Sequence, residues 1–573
     1  MGNPVILGVN SVYHESSACV LRGREVVAIA EEERFNRRKH AKPAEVHNAD
    51  QVPAHAIRDC LARARLSARD IDYVAYSFDP GLRHRSPYDE PTTPGSWGSV
   101  EGERVFLQSL ERVPSAVGAV VDEDVSERWV WVPHELAHAA SAYFASPFEH
   151  AAVLAIDGIG EHSTALLAHG RGDHLDALET VAYPNSLGFI WEKVAKFVGL
   201  DEYSAPKVMA LAAFADPDRF RADFEKLVRS HANRFEVDID RFRFRVEDYT
   251  LLEELFGARR EPGQRVDTRD AEVAAALQAC TEDLLFGLAE HLRSLTEAPA
   301  LCVAGGVALN CVAMGRLLNE GPFEHVFVQP LAHDAGTALG AALWVAHTHA
   351  APTDRDGPDR CVMADPYLGP SYDDQEVDAA LAAAPVSVSR VPAPEIEAAR
   401  LVEDGLIVGW FQGPAEVGPR ALGNRTIVAD PRRAGTKELI NLRVKHREYF
   451  RPFAPAVLEE QASEWFDYAR PSLSTRFMSF ACEVRPEKRA SIPAVVHVDG
   501  TSRPQTVSAS INPRFHALIS EFHRRTGVPL VVNTSFNTFD EPIVCSPTDA
   551  VRTFLRTGLD VLVIHDNVVR KYG

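Results

Sequence analysis

The sequence predicts an α/β protein of more than one domain, and three observations carry that prediction. The first is length: 573 residues exceed one ordinary core, and at about 150 residues per domain they divide into roughly two to four. The second is composition, with 46% hydrophobic and 25% charged residues, 35 Gly and 37 Pro, which belongs to a folded globular chain and not to a disordered or fibrous one. The third is that short apolar runs with the character of buried strands share the chain with stretches of helical spacing.

In chain order, PVILGVN reads as a buried strand, and SSACVLRG with EVVAIAEE as a hairpin turning around Gly23. The phrase returns: slid by 147 residues, VILGVNSVYHESSACVLRG lies without a gap over AVLAIDGIGEHSTALLAHG, so that Asn10 meets Asp157, Ser16 meets Ser163, Ala18 meets Ala165 and Gly23 meets Gly170. A duplicated strand, polar turn, strand and glycine turn is the device with which the actin, sugar-kinase and Hsp70 superfamily holds a phosphorylated ligand between two half-domains. Chance likeness of two buried hairpins is the competing explanation. From Asp270 to Leu295 the apolar spacing is helical. LCVAGG then reads as a strand running into Gly305 and Gly306, and ALNCVAMGRLLNE as the following helix, an arrangement that seats an anion or nucleotide or forms only a tight turn. HDAGTALGAALWVAH reads as a loop and another helix. The polar run AAPTDRDGPDR (350–360) suits a linker, which divides the chain into domains 1–355 and 356–573.

Beyond the linker, residues 415–455 hold nine Arg and Lys against four acids, a local +5 inside a chain of −21. Such a run, with its Gly-Pro and Gly-Asn turns, either clamps phosphate oxygens or forms a solvated basic face. Near the end LVVNTSFN closes a strand in small polar donors, followed by the loop DEPIVCSP. The overall charge, 60 basic against 81 acidic residues, disfavours nucleic acid and an anionic membrane as partners. The eight cysteines form no CxxC pair and read as reduced thiols. With no apolar run near 18 residues and no basic, apolar start, a cytoplasmic location is expected.

The densest constellation is PHELAHAASAYF, in which His134 and His138 stand four apart and so share one helical face. HELAH also satisfies the HExxH pattern of zinc proteases, but the third ligand such enzymes require is missing from the strand AAVLAID and turn GIGEHS that follow. Two structural histidines are a further alternative. A non-protease metal site, completed by the strand-end Asp157 and the loop acid Asp334, would be a two-His, two-carboxylate set suited to a divalent transition metal such as iron, manganese or zinc.

Taken together, the ordered motifs YHESSA, EEERFNRRKH, HELAHAASAY, DGIGE, SLGFIWE, KVMALA, AGGVALN, HDAGTALGAA, GWFQGPAEVGPRALGNR, INLRVKHREYFRPFAP, TSRPQT and NTSFNTFDEPIVCSP resemble the NodU/CmcH/TobZ family of O-carbamoyltransferases along both halves of the chain. The resemblance implies an N-terminal actin-like (ASKHA, duplicated RNase H-like) metal domain and a C-terminal YrdC-like α/β domain. It also implies the chemistry: carbamoyl phosphate and MgATP give carbamoyladenylate and pyrophosphate in the C-terminal domain, and the carbamoyl group then passes to a hydroxyl of a natural product in the N-terminal one. On that basis Arg420, Arg425, Lys445, Arg451 and Arg503 hold phosphates, with Asn533 and Ser535 as neutral donors, and Arg420, Lys445 and Arg451 counted as catalytic. Lys39, in the RRKH run, reaches the same C-terminal chamber and its nucleotide, Lys207 approaches the adenylate phosphate in the N-terminal domain, Gly305, Gly306 and Asn310 seat the nucleoside, and His134, His138, Asp157 and Asp334 hold Fe(II) or another divalent transition metal. His14 is the general base for the acceptor hydroxyl. Two positions depart from the family pattern: Glu15, where Asp is more usual, and Ala210, where Gly is. An actin-like small-molecule kinase, releasing ADP, and a tRNA-modifying or binding module are the competing functions. Neither the acceptor nor the oligomeric state is encoded in any motif.

Overall fold

The computed structural model describes residues 3–83, 90–231, 234–349 and 360–572. The chain forms two compact units, Met1–Glu32 with His40–Met363, and Glu33–Lys39 with Ala364–Gly573. The expected boundary between 355 and 356, and the linker at 350–359, lie outside the described residues. Lys39 was expected to reach the C-terminal chamber, and the whole segment Glu33–Lys39 folds with the second unit.

The first unit contains two five-stranded sheets of one design. In the first, β1 (Val5–Asn10), β2 (Ser17–Arg22) and β3 (Glu25–Glu31) are antiparallel, and β4 (Tyr73–Tyr76) and β5 (Trp129–Trp131) extend the sheet in parallel, in the order β3-β2-β1-β4-β5. The second repeats this with β6 (His150–Ile156), β7 (Ser163–Arg171), β8 (His174–Ala182), β9 (Ala300–Ala304) and β10 (His325–Val328), in the order β10-β9-β6-β7-β8. Every residue of β1 and β9 is buried, as strands inside a two-sided layer require. The crossovers to the parallel strands carry helices, α1 (Ala54–Ala64) and α2 (Val100–Glu111) in the first half and α4 (Thr268–Thr296) and α5 (Cys311–Glu320) in the second. Each half ends in a helix, α3 (His134–Tyr143) after β5 and α6 (Ala335–Thr348) after β10. This is the duplicated RNase H-like architecture of the actin-like class.

The repeat is preserved to the residue. Val9 pairs with Ala18 in the first hairpin and Ile156 with Ala165 in the second, the same register displaced by 147. One expectation is corrected: Gly23 sits in its turn at φ 62°, but the corresponding turn of the second hairpin uses Gly172 at φ 57°. Gly170 lies within β7, where a Cβ would fall 2.2 Å from the Tyr143 ring, so its role is close packing. Helices α3 and α6 also meet closely: a Cβ on Gly340 would lie 1.7 Å from the Ala137 carbonyl oxygen. That approach sets the histidine face of α3 beside Asp334, the N-cap of α6.

The second unit is built on a mixed eight-stranded sheet. Its strands are β11 (Val386–Arg390), β12 (Val408–Phe411), β13 (Arg425–Ala429), β14 (Ala454–Leu458), β15 (Gln505–Val507), β16 (Leu530–Ser535), β17 (Val561–Ile564) and β18 (Asn567–Lys571), in the order β11-β18-β17-β12-β13-β16-β14-β15. Helices α7 (Pro394–Glu403), α8 (Pro513–Thr526) and α9 (Pro547–Arg556) cover it, and Trp410, Phe515, Phe522, Phe536 and Phe554 fill the core. The basic segment spans the connections on either side of β13, and LVVNTS is β16 in the middle of the sheet. Among the described residues no helix is long and apolar enough to cross a membrane.

Candidate metal centre and anion site

At the end of β6, Asp157 faces the N-terminal turns of α3. Asp157 Oδ2 is 3.6 Å from His134 Nε2 and 3.5 Å from His138 Nε2, and Asp334 Oδ1 lies at the same two distances from them. The four ligand atoms lie within 4.8 Å of one another. Both histidines are fully buried, and neither Nε2 has a hydrogen-bond partner. The two carboxylates of this low-dielectric site require positive charge beside them, which protons on the imidazoles supply or a bound cation supplies by displacing those protons. Burial opposes charging of His138, yet Asp157 and Asp334 more than offset it and raise that imidazole to about 9. Burial likewise works against the Asp157 charge, but His134 and His138 hold it well below the usual carboxylate range. The donor set, two nitrogens and two oxygens with nothing else to bind, fits a divalent first-row metal.

The surroundings fix these ligands in place. His134 Nδ1 donates to the Ser77 carbonyl at 3.1 Å, which turns Nε2 inward. Glu161 accepts the His134 backbone N–H at 2.9 Å and so caps α3. The Gly306 N–H donates to Asp157 Oδ1 at 2.8 Å, leaving Oδ2 to the histidines, and a Cβ there would lie 2.7 Å from that oxygen. Glu135 stands apart from the quartet: both its oxygens are buried without partners, and burial raises it to about 8.

Of the residues expected to seat the nucleoside, Gly305 (φ 91°) packs against β6, where a Cβ would lie 2.1 Å from the Ile156 carbonyl oxygen. A 3-10 turn, Gly306–Leu309, begins at the second glycine and precedes α5, and the Asn310 side chain caps that helix through Ala313 N–H while exchanging two hydrogen bonds with Gln278, which engages its oxygen and one of its two amide N–H groups. Lys207 Nζ lies 3.4 Å from Asp201.

His14 occupies the polar turn after β1. Its Nδ1 is buried without a partner, and Tyr203 stands edge-on at 5.5 Å. A residue that motif reading missed connects this turn to the metal centre: Asn10 Nδ2 donates to the carbonyls of Glu15 (3.2 Å) and Asp334 (3.1 Å), and its Oδ1 accepts from Ser77 Oγ at 3.0 Å. The repeat contained the signal, since Asn10 occupies the position of Asp157.

In the second unit the basic run separates into two groups. Lys445 is buried, donates to Ser535 Oγ (3.1 Å) and Asn537 Oδ1 (2.8 Å), and is held well below its usual range by burial and by Arg447, Arg451 and Lys39. Arg447, which motif reading passed over, is likewise depressed by burial, Arg451 and Arg503. Lys39, Lys445, Arg447, Arg451 and Arg503 thus lie within electrostatic reach in one place, where Glu448, 3.9 Å from Arg451, and Glu541 compensate only in part. Arg425 belongs elsewhere, which corrects its assignment to phosphate. It lies inside β13, stacks over Phe411 at 3.6 Å, and donates to the carbonyls of Gln412, Gly413, Asn424, Cys545 and Pro370. Asn533 is corrected for the same reason, because its amide bonds Ala421, Gln505 and Thr426. Arg420 is half-buried on the loop between β12 and β13.

Comparison with known families decides what this pairing of sites belongs to. The carbamoyltransferase N-terminus model matches residues 5–343 and the carbamoyltransferase C-terminus model residues 399–571. The chain belongs to the carbamoyltransferase family. This carbamoyltransferase is 38% identical to nodulation protein NolNO of Sinorhizobium fredii (strain NBRC 101917 / NGR234), over 98% of the chain and 80% of that protein. It is 41% identical to nodulation protein NolO of Bradyrhizobium diazoefficiens, over 76% of the chain and 78% of that protein. Among solved structures, full-length HypF in its phosphate- and nucleotide-bound form is 14% identical with a TM-score of 0.31, covering 60% of the carbamoyltransferase and 55% of that chain, a likeness too distant to carry an argument.

Proposed function

We propose that this carbamoyltransferase is ATP-dependent and acts in two half-reactions, with carbamoyl phosphate as donor and a hydroxyl of a natural product as acceptor. The observation that carries the reading is the buried Lys445 ammonium with Arg447, Arg451 and Lys39 close enough to depress it, and Arg503 acting on Arg447 in turn. Such a group is stable and useful when phosphates complete it. Lys39, Lys445, Arg447, Arg451 and Arg503 bind the phosphates of carbamoyl phosphate and ATP, Arg420 contributes a donor, and Ser535, whose hydroxyl donates to Asn537 Oδ1, orients Lys445. Carbamate released from carbamoyl phosphate attacks the α-phosphate of ATP, giving carbamoyladenylate and pyrophosphate. Enclosure of the carbamate from water protects it until it is activated.

In the N-terminal unit, His134, His138, Asp157 and Asp334 hold a divalent transition metal, which when bound orients an adenylate phosphate and neutralises charge developing on it. Gly306 positions the Asp157 carboxylate, and Lys207 lies on the nucleotide side. His14 removes the proton of the acceptor hydroxyl as its oxygen attacks the carbamoyl carbon, and AMP departs. The nodulation relatives support carbamoyl transfer; the acceptor of this chain is to be found among hydroxylated natural products.

The test is to incubate the metal-loaded protein with ATP, magnesium and isotopically labelled carbamoyl phosphate and analyse the products by mass spectrometry. Pyrophosphate and labelled carbamoyladenylate are expected without any acceptor. ADP, or product formation independent of carbamoyl phosphate, would favour the kinase alternative and overturn the reading.

A further inference from the structure

One loop of the second unit supplies acceptors to two of the cations assigned to phosphate. Lys445 Nζ donates to the Asn537 carbonyl at 3.0 Å and to Asn537 Oδ1 at 2.8 Å, and Lys39 Nζ donates to the carbonyl of Phe539. Lys39 also lies close enough to Lys445 to depress it. Only two covalent bonds separate the Phe539 carbonyl oxygen from its Cα, so the atom that bears this side chain lies within about 5 Å of the Lys39 ammonium. The loop is braced from within and from α9. Asn537 Nδ2 donates to the Glu541 carbonyl at 2.8 Å and closes the turn 537–541, while the Thr538 N–H (3.1 Å) and Thr553 Oγ1 (2.9 Å) both donate to Glu541 Oε1.

At the middle of this turn Phe539 is 52% exposed. A second exposed ring, Tyr449, lies in sequence between Lys445 and Arg451, but its hydroxyl is hydrated at a surface, whereas Phe539 has no polar atom to offer water. ATP brings to a phosphate site what such a ring can take up, a flat base tethered to the phosphates through ribose. Stacking of a base on an aromatic side chain is worth about 5- to 100-fold in affinity, and a platform that is already braced adds little ordering cost on binding.

We infer that Phe539 is the platform on which the adenine of ATP stacks in the C-terminal unit, a nucleobase subsite beside the phosphate site. The inference rests on ATP binding in this unit as proposed above. The loop then serves both ends of one substrate: the carbonyls of Asn537 and Phe539 hold Lys445 and Lys39 in place for the phosphates, and the ring between them takes the base. Carbamoyl phosphate has no base and gains nothing from the ring. The subsite therefore separates ATP from bare polyphosphate and does not act on the carbamoyl donor.

The experiment compares Phe539→Ala, Phe539→Leu and Phe539→Tyr in the full-length, metal-loaded protein. Carbamoyl-phosphate-dependent ATP–pyrophosphate exchange gives KM for each substrate, and tripolyphosphate, which lacks a base, serves as a competitor of ATP. Phe539→Ala is expected to raise KM for ATP about 10- to 100-fold and to leave KM for carbamoyl phosphate and inhibition by tripolyphosphate as in the wild type. Phe539→Tyr is expected to restore KM for ATP, and Phe539→Leu, apolar but not flat, to fall short. An unchanged KM for ATP in Phe539→Ala, equal losses for ATP and tripolyphosphate, or full recovery in Phe539→Leu would overturn the inference. In parallel, the triphosphate of 2-aminopurine riboside, whose fluorescence stacking quenches, is titrated into the wild type and Phe539→Ala. Quenching is expected in the wild type and its loss in the variant; equal quenching in both would count against the platform. A wild type without exchange speaks against the adenylate reading instead, and the fluorescence titration then decides the stacking alone.

Discussion

The metal centre and the basic segment pose the same question, which charged side chains converge on a ligand, and the molecule answers it differently in the two places. In the first unit, four residues drawn from α3, the end of β6 and the start of α6 bring their ligand atoms to one point, and the two imidazole Nε2 atoms among them have no hydrogen-bond partner. In the second, residues of one basic run go separate ways: Lys445, Arg447 and Arg451 gather, whereas Arg425 is a strut within the sheet, engaged by five backbone carbonyls. Convergence of ligand atoms or of like charges at one place marks a site; the charge of a single residue in a basic run does not.

The comparison breaks most sharply if a supposed ligand proves dispensable. His138→Ala should abolish tight metal binding, read as loss of stoichiometric metal after purification; full retention would remove His138 from the ligand set. Arg425→Met should act on stability alone, because buried carbonyls lose their donor, at a cost of about 3 kcal/mol or more, seen as a lower denaturation midpoint. Arg451→Ala should leave that midpoint in place and raise KM for carbamoyl phosphate by about 10- to 100-fold, the worth of one charge-assisted contact. If the two arginine variants exchanged these phenotypes, the division of the basic run would be wrong. Gly306→Ala, with its Cβ 2.7 Å from Asp157 Oδ1, should weaken metal affinity by about tenfold, as loss of an orienting contact does.

A smaller effect concerns protons. Burial and neighbouring cations depress the Lys445 ammonium, so above its depressed folded value the free protein has lost a proton there that an anion would restore. Anion binding therefore takes up protons and weakens as pH rises through that range. Calorimetry in buffers of different ionisation enthalpy reads the uptake directly, and proton release would contradict it.

Much of this was legible in the sequence, for identifiable reasons. The His134–His138 spacing is local, and the repeat placed Asp157 at a strand end, so both survive the passage to three dimensions. That repeat also marked Asn10, whose amide joins the His14 turn to the Asp334 loop. Arg425 and Asn533 were misassigned because residue type reports a donor and not its destination. RTIVA is a buried strand, and a residue inside it already has backbone neighbours to satisfy. Arg447 was hidden by equal weighting of the run's charges. Of Glu33–Lys39 only Lys39 was expected in the second unit; the rest escaped because its partners, among them the carbonyls of Pro542 and Ile543 that Arg37 binds, lie some 500 residues away in sequence.

The central claim is that two chemistries occupy two units of one chain. The most direct measurement is carbamoyl-phosphate-dependent ATP–pyrophosphate exchange in Lys445→Met and His138→Ala, assayed beside the wild type without acceptor. The account predicts loss of exchange in Lys445→Met and its retention in His138→Ala; loss in both, or retention in Lys445→Met, would contradict it.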